Sequence, residues 1–192
     1  MTAVDERGVA KFFDGFEPPE GLTAELLRGE IVMMAGPDLV HNLIVEEVQD
    51  QIPRARWARL QTQDIDIVSE SSEPIPDLVV LEREAHPESG RLLPSSLVTM
   101  VVEVVSRTSV DRDYGVKRSI YAAGQVPVYL VIDPIMAHCV LLTLPVGTGE
   151  EADYRAQQIT KFGEPLALEP FGIELDTSGF GTYKGARPHR RP

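Results

Sequence analysis

The stretch VVEVVSRTSVDRDYGVKRSIYAAGQVPVYLVIDP, residues 101–134, reads as strand, helix, strand. Leu97 to Val105 is a nearly unbroken apolar run, the pattern of a strand buried on both faces. Ser106 to Ser109 leads into a helix expected from about Asp111 to Ala123, with Gly124 as its stop. Pro127 to Ile132 is a second buried strand. Two strands joined by a helical crossover lie parallel. The expected class is therefore α/β (or α+β), a mixed central β-sheet flanked by helices.

Outward from this unit, Ile75 to Leu81 is another apolar strand, with Pro74 and Pro76 at its entry, where a missing N–H is tolerable. Residues 82–96 form a polar loop, and Ile65, Ile67 and Val68 suggest a short strand. From Leu39 to Ile52 apolar residues recur at helical spacing, between an N-cap at Asp38 and a stop at Pro53. Arg28-Gly29-Glu30 is the turn of a small hairpin. Downstream, His138 to Leu144 is a strand, and Tyr154 to Thr160 and Leu166 to Leu168 supply the sheet edge. The domain is expected over 21–175. Residues 1–20 form an N-terminal arm carrying Phe12, Phe13 and Phe16, and 176–192 a flexible C-terminal tail.

The 192 residues suffice for one domain with a real core. No apolar run approaches the roughly 18–20 residues that span a bilayer, and Met1 to Glu20 has no signal-peptide core, so a soluble cytoplasmic protein is expected. The single Cys139 has no disulfide partner within the chain, and no CxxC or HxxxH suggests zinc. There is no GxSxG elbow, P-loop or dinucleotide fingerprint. The net charge of −12 counts against broad electrostatic binding of DNA. The basic clusters are small, Arg54-Arg56-Arg59 and Arg187-Arg190-Arg191, and each reads most simply as a solvated face or tail. A homodimer is expected, because the monomer has little basic surface and the aromatic arm suggests a partner surface.

Two carboxylates stand out. Asp77 and Glu103 sit in strand-like apolar runs, where an unpaired buried charge is costly. At 100° per residue, Lys117 falls with Asp113, Tyr114, Ile120 and Tyr121 on the side of its helix that faces the sheet. A divalent cation explains such acids, since Mg²⁺ prefers oxygen ligands. A lysine nearby then suits a phosphate-centred transition state. The structural alternative is a buried salt bridge from Glu103 to Lys117 or Arg107. His41 lies on the apolar side of its helix, where a core histidine is the simpler reading.

These residues resemble the Uma2 (DUF820) family of restriction-endonuclease-like proteins within the PD-(D/E)XK nuclease superfamily. The likeness runs from Glu25 to Asp133. It is carried by ELLRGEIVMM at 25–34, HNLIVEEV from His41, PDLVV from Pro76 and, above all, residues 101–134 with Asp113, Lys117 and Tyr121 four apart. The family usually continues directly from glycine where this chain has Gly124-Gln125. The resemblance implies a restriction-endonuclease-like αβββαβ core, with Asp77 and Glu103 as the acidic pair on neighbouring strands. The superfamily's lysine two residues after the second acid is absent, because Val105 stands there, and Lys117 matches the family's lysine instead. Asp77, Glu103 and the Val104 carbonyl would hold Mg²⁺ (or Mn²⁺), and Glu30, His41, Asp113 and Tyr121 would support them. The implied activity is metal-dependent endonucleolytic hydrolysis of nucleic acid, DNA foremost, leaving 5′-phosphates. The competing expectation is a non-catalytic scaffold or binding module of the same fold, whose acids are structural.

Overall fold

A computed structural model describes residues 6–191. In chain order the elements are α1 (Glu6–Phe13), β1 (Leu22–Leu27), β2 (Glu30–Ala35), α2 (Leu39–Gln51), β3 (Trp57–Gln61), β4 (Ile65–Asp66), β5 (Leu78–Glu82), β6 (Leu93–Pro94) and β7 (Val98–Val104). A π-helical turn, Arg112–Val116, then runs into α3 (Lys117–Ala123). The chain continues with β8 (Val128–Asp133), β9 (His138–Val146), β10 (Asp153–Lys161), β11 (Leu166–Leu168) and β12 (Ile173–Leu175).

Six strands form the central sheet in the order β10-β9-β8-β7-β5-β3. Only β7 and β8 run parallel, joined by the crossover through α3, and every other neighbouring pair is antiparallel. The mixed sheet expected from the sequence is present, and α2-β3-β5-β7-α3-β8 follows the αβββαβ order. Alternation along the strands divides the core into two layers. Val79, Leu81, Val101, Val105, Tyr129 and Val131 pack with Ile120 and Tyr121 of α3. Leu78, Val80, Met100, Val102, Val104 and Leu130 pack with Ile44, Val45 and Val48 of α2.

The hairpin β1–β2 turns through Arg28 (φ 49°) and Gly29 (φ 74°), both left-handed, as the tight primed hairpin turn requires. Phe13 at the end of α1 and Phe16 just after it pack against Ala24 and Leu26 of that hairpin, so part of the arm's aromatic surface is spent within the chain. The first five residues of the arm lie outside the described residues.

Strand β3 was not expected. Arg54, Arg56 and Arg59, at and just before it, read as a solvated cluster, but Trp57 and Ala58 are buried, and Arg59 donates through Nη1 to the carbonyls of Gln49 (2.5 Å) and Ile52 (3.1 Å), closing the C-terminus of α2. The strand expected near Ile65 shrinks to the two residues of β4, paired with β6. Leu166–Leu168 leaves the main sheet and pairs with β12. The segment after Asp176, expected as a flexible tail, is fastened to the body. Thr177 and Phe180 are buried, His189 meets Asp133 and Arg191 meets Asp111. Ion pairs to residues distant in sequence hold it, and these leave no apolar period in the sequence.

Candidate active site

Asp77 stands just before β5. The β5–β7 ladder ends at Leu78↔Val102, so Asp77 lies just beyond the last pair, beside the segment of β7 that carries Glu103 and Val104. Where the ladder ends, the Asp77 carboxylate takes over: Oδ2 accepts the Val104 N–H at 2.7 Å and lies 2.9 Å from His41 Nε2. His41 is placed by the N-cap of α2, since Asp38 Oδ1 accepts its backbone N–H at 3.0 Å. Burial pulls the imidazole pKa down, but the hydrogen bond and charge of Asp77 outweigh it, so the pKa is raised.

Glu103 projects from β7 into the α3 layer and is buried. Both its bonds fall on Oε1, which accepts from Lys117 Nζ at 2.8 Å and from the Tyr121 hydroxyl at 2.6 Å. Lys117 is 2% exposed. Its ammonium also lies 2.6 Å from Glu25 Oε1 and 3.5 Å from the Ile75 carbonyl. Burial would lower its pKa, but the Glu103 and Glu25 carboxylates raise it, so the group is a fixed cation. Glu103 is pushed the other way by burial, against the pull of Lys117, and ends well above the usual carboxylate range.

Glu25 is a residue the sequence reading missed. It is fully buried, Oε1 also accepts the Ile75 N–H at 2.8 Å, and Oε2 is buried without a hydrogen-bond partner. The signal was present: Glu25 lies within Ala24-Glu25-Leu26-Leu27, an acid in an apolar strand just as Glu103 is. Glu30, the hairpin acid named instead, lies exposed at the start of β2 and is not brought to the other site residues. Asp113, one turn before Lys117, is buried and receives the Ser109 hydroxyl. Burial drives its carboxyl up to about 7, with Lys117 and Ser109 opposing. The Tyr129 hydroxyl donates to its carbonyl at 2.8 Å.

The fold thus gathers Asp77, Glu103, Lys117, His41, Asp113 and Tyr121, adds Glu25, and leaves Glu30 outside. Val104 contributes its backbone here, while its side chain packs in the α2 layer. Glu25, Glu103 and Asp113 oppose one buried ammonium, so full ionisation leaves uncompensated negative charge in a low-dielectric site. A proton or a cation relieves that excess. Among the described residues no three His, Cys, Asp or Glu side chains form a ready metal cage. A carboxylate pair with a carbonyl suits a hard divalent ion that keeps several waters, rather than zinc.

The comparisons agree with this frame. The family described as "Uma2: Putative restriction endonuclease" matches residues 12–178. The solved structure described as "Crystal structure of a putative nuclease belonging to DUF820 from Anabaena variabilis ATCC 29413" superposes with a TM-score of 0.67. It covers 89% of this chain and 96% of that one at 13% identity, so the fold is what the two share. A search of curated proteins returns no match. Since the family match runs through the hairpin, both core helices and the whole central sheet, the chain belongs to the Uma2 family.

Proposed function

We propose that this protein is a metal-dependent nuclease, hydrolysing phosphodiester bonds of nucleic acid, DNA foremost, at Asp77, Glu103 and Lys117. The observation that carries the reading is Asp77 bonded to the Val104 N–H, next to Glu103, with a buried lysine on Glu103 and more negative charge around that lysine than it balances. Asp77, Glu103 and the Val104 carbonyl would hold Mg²⁺ or Mn²⁺, with the family and the oxygen donor set as support. Such an ion, when bound, supplies a water of lowered pKa and polarises a phosphoryl oxygen.

The chain's own residues do the rest. Lys117 presents a permanent positive charge next to Glu103, where it opposes negative charge developing on phosphorus-bound oxygens. The Tyr121 hydroxyl fixes the Glu103 carboxylate, and His41 fixes that of Asp77. Glu25 holds the lysine from its other side, so the ammonium cannot swing away with Glu103 alone.

The test is cleavage of plasmid and oligonucleotide substrates with Mg²⁺ and Mn²⁺, wild type against Glu103→Gln. Divalent-dependent products with 5′-phosphate ends are expected, reduced about 10²-fold or more in the variant, the scale of losing one transition-state contact. A wild type inert with both ions overturns the proposal. One observation favours a second reading, a non-catalytic scaffold: the Lys117 ammonium is already satisfied by two carboxylates, as in a structural ion pair. On that reading neither ion alters the wild type or the variant.

A further inference from the structure

Beyond Phe180, whose ring meets Phe162 at a centroid distance of 5.4 Å, residues 181–191 run as an irregular strap beside the candidate site. The Tyr183 N–H donates to the Pro134 carbonyl at 3.1 Å. Its ring lies 5.7 Å from the Arg107 guanidinium, and its hydroxyl sits against the Asp38 carboxylate. Arg107 also donates to the Lys184 carbonyl at 3.4 Å. Further on, His189 Nε2 lies 2.7 Å from Asp133 Oδ2, and Arg191 places Nε and Nη2 on Asp111 Oδ1 at 3.1 and 2.9 Å. These anchors belong to the frame of the site. Asp38 caps the helix that carries His41, Arg107 follows the strand that carries Glu103, and Asp133 ends the strand paired with it.

The strap has a period of three. Tyr183, Ala186 and His189 are half-buried against the body, while Lys184, Arg187 and Arg190 are exposed. Among the described residues these three cations have no carboxylate partner. The last twelve residues hold four of the 18 Lys and Arg and none of the 30 Asp and Glu; the remaining chain carries 14 positive against 30 negative charges, a net of −16. The strap lies outside the residues matched by the family, 12–178. A row of unpaired cations fastened beside an acidic site fits a row of phosphates, and it supplies locally the positive charge that the whole protein lacks.

We propose that residues 181–191 are a phosphate rail: Lys184, Arg187 and Arg190, with Arg107, hold the sugar–phosphate backbone of a nucleic-acid strand at the site, while Tyr183, His189 and Arg191 fasten the rail to the body. The ligand class rests on the nuclease reading; the placement of the cations does not. The test is anisotropy of a fluorescein-labelled oligonucleotide, single- and double-stranded, titrated in Mg²⁺ with full-length Glu103→Gln, so that the probe stays intact. Binding is compared between that background, the same with Lys184→Gln, Arg187→Gln and Arg190→Gln, and the same with Arg54→Gln, Arg155→Gln and Lys161→Gln, which changes net charge equally elsewhere. Each lost phosphate contact should lower the slope of log affinity against log salt by about 0.7–0.9, so the rail variant should lose roughly 2–3 of slope and about tenfold or more in affinity at low salt. The control should keep its slope. An unchanged slope in the rail variant, tighter binding (the strap as a plug), equal losses in both triple variants, or no binding at all overturns the proposal. Cleavage by the wild type is scored separately: cleavage with an unchanged slope sinks the rail alone, and a rail-dependent slope without cleavage sinks the nuclease reading alone.

Discussion

Lys117 is the residue on which the site turns. It is buried beside two carboxylates, so replacing it removes the cation that pairs with both. Lys117→Met should destabilise the protein by about 3–5 kcal/mol at pH 8, the cost of breaking a buried pair, and by less at pH 5, where the carboxylates take up protons. Urea denaturation at both pH values reads this, and a loss below about 1 kcal/mol would mean that the pair contributes little. Asp113 has the clearest pH signature. Its carboxyl titrates near 7 in the folded state, from an ordinary value of 3.8, because burial disfavours the anion. The folded state therefore holds a proton that the unfolded chain gives up. The resulting stability is present in full below pH 4 and is lost as pH rises through 7, by up to about 4 kcal/mol. His41, with its pKa raised above 6.5, acts in the same direction, its share being lost as pH rises through the folded value. In EDTA, wild-type stability should fall from pH 5 to pH 8. Asp113→Asn should flatten that fall and be the more stable protein at pH 8, while a profile parallel to wild type would remove Asp113 as its source.

At the scale of elements, the end of α3 shows how a correct boundary can have the wrong cause. Gly124 was expected to stop the helix, which glycine commonly does in a left-handed conformation. Its φ is −71°, and Gln125 takes the left-handed position at φ 56°. The Gln125 N–H meets the Ala122 carbonyl at 3.0 Å and the Val126 N–H meets that of Tyr121 at 3.0 Å, the paired bonds of a Schellman ending. Gly124 is needed for space instead, because a Cβ there would come within 3.0 Å of the buried Ile67 side chain. Gly124→Ala should cost about 1–3 kcal/mol as overpacking. Gln125→Gly should be neutral or stabilising by up to about 1 kcal/mol through relief of the left-handed backbone. Thermal denaturation of the two variants checks the opposite signs, and a stable Gly124→Ala protein would show that Ile67 yields. The start of the same helix differs too: the Lys117 N–H reaches back five residues to the Arg112 carbonyl, a π turn with one residue more than a regular helix needs.

For the whole molecule, the excess of buried negative charge leads to the prediction that cations raise its stability. An ion that binds only the folded state stabilises it by mass action, about 2.7 kcal/mol at a hundredfold excess over Kd, which for a domain of this size is roughly 5–10 °C in Tm. After dialysis against EDTA, Mg²⁺ or Mn²⁺ should raise the wild-type Tm on that scale and leave Glu103→Gln unmoved. The variant's own Tm in EDTA should stay close to wild type, because glutamine still accepts from Lys117 and Tyr121, and Glu25 keeps the ammonium paired. A divalent response equal in both proteins would place cation binding elsewhere. No helix among the described residues is long and apolar enough to cross a membrane, consistent with the absence of long apolar runs.

The parts legible in sequence are those whose physics is local. Strands β5, β7, β8 and β9 and helix α2 declare themselves because apolar side chains buried in a core recur at the strand or helix period. Asp77, Glu103 and Lys117 stand out because a charge within an apolar pattern demands a partner. Tertiary structure alone decided that Glu25, rather than Glu30, closes around the lysine. That choice depends on the hairpin packing its inner face beside residues 73–75, fifty positions away. It also decided β3, an edge strand hidden in the Arg54-Arg56-Arg59 cluster because Arg59 spends its charge on the end of α2. The strap after Phe180 is decided the same way. It has no apolar period to read, and ion pairs with Asp111 and Asp133, brought near only by the folded sheet, hold it in place.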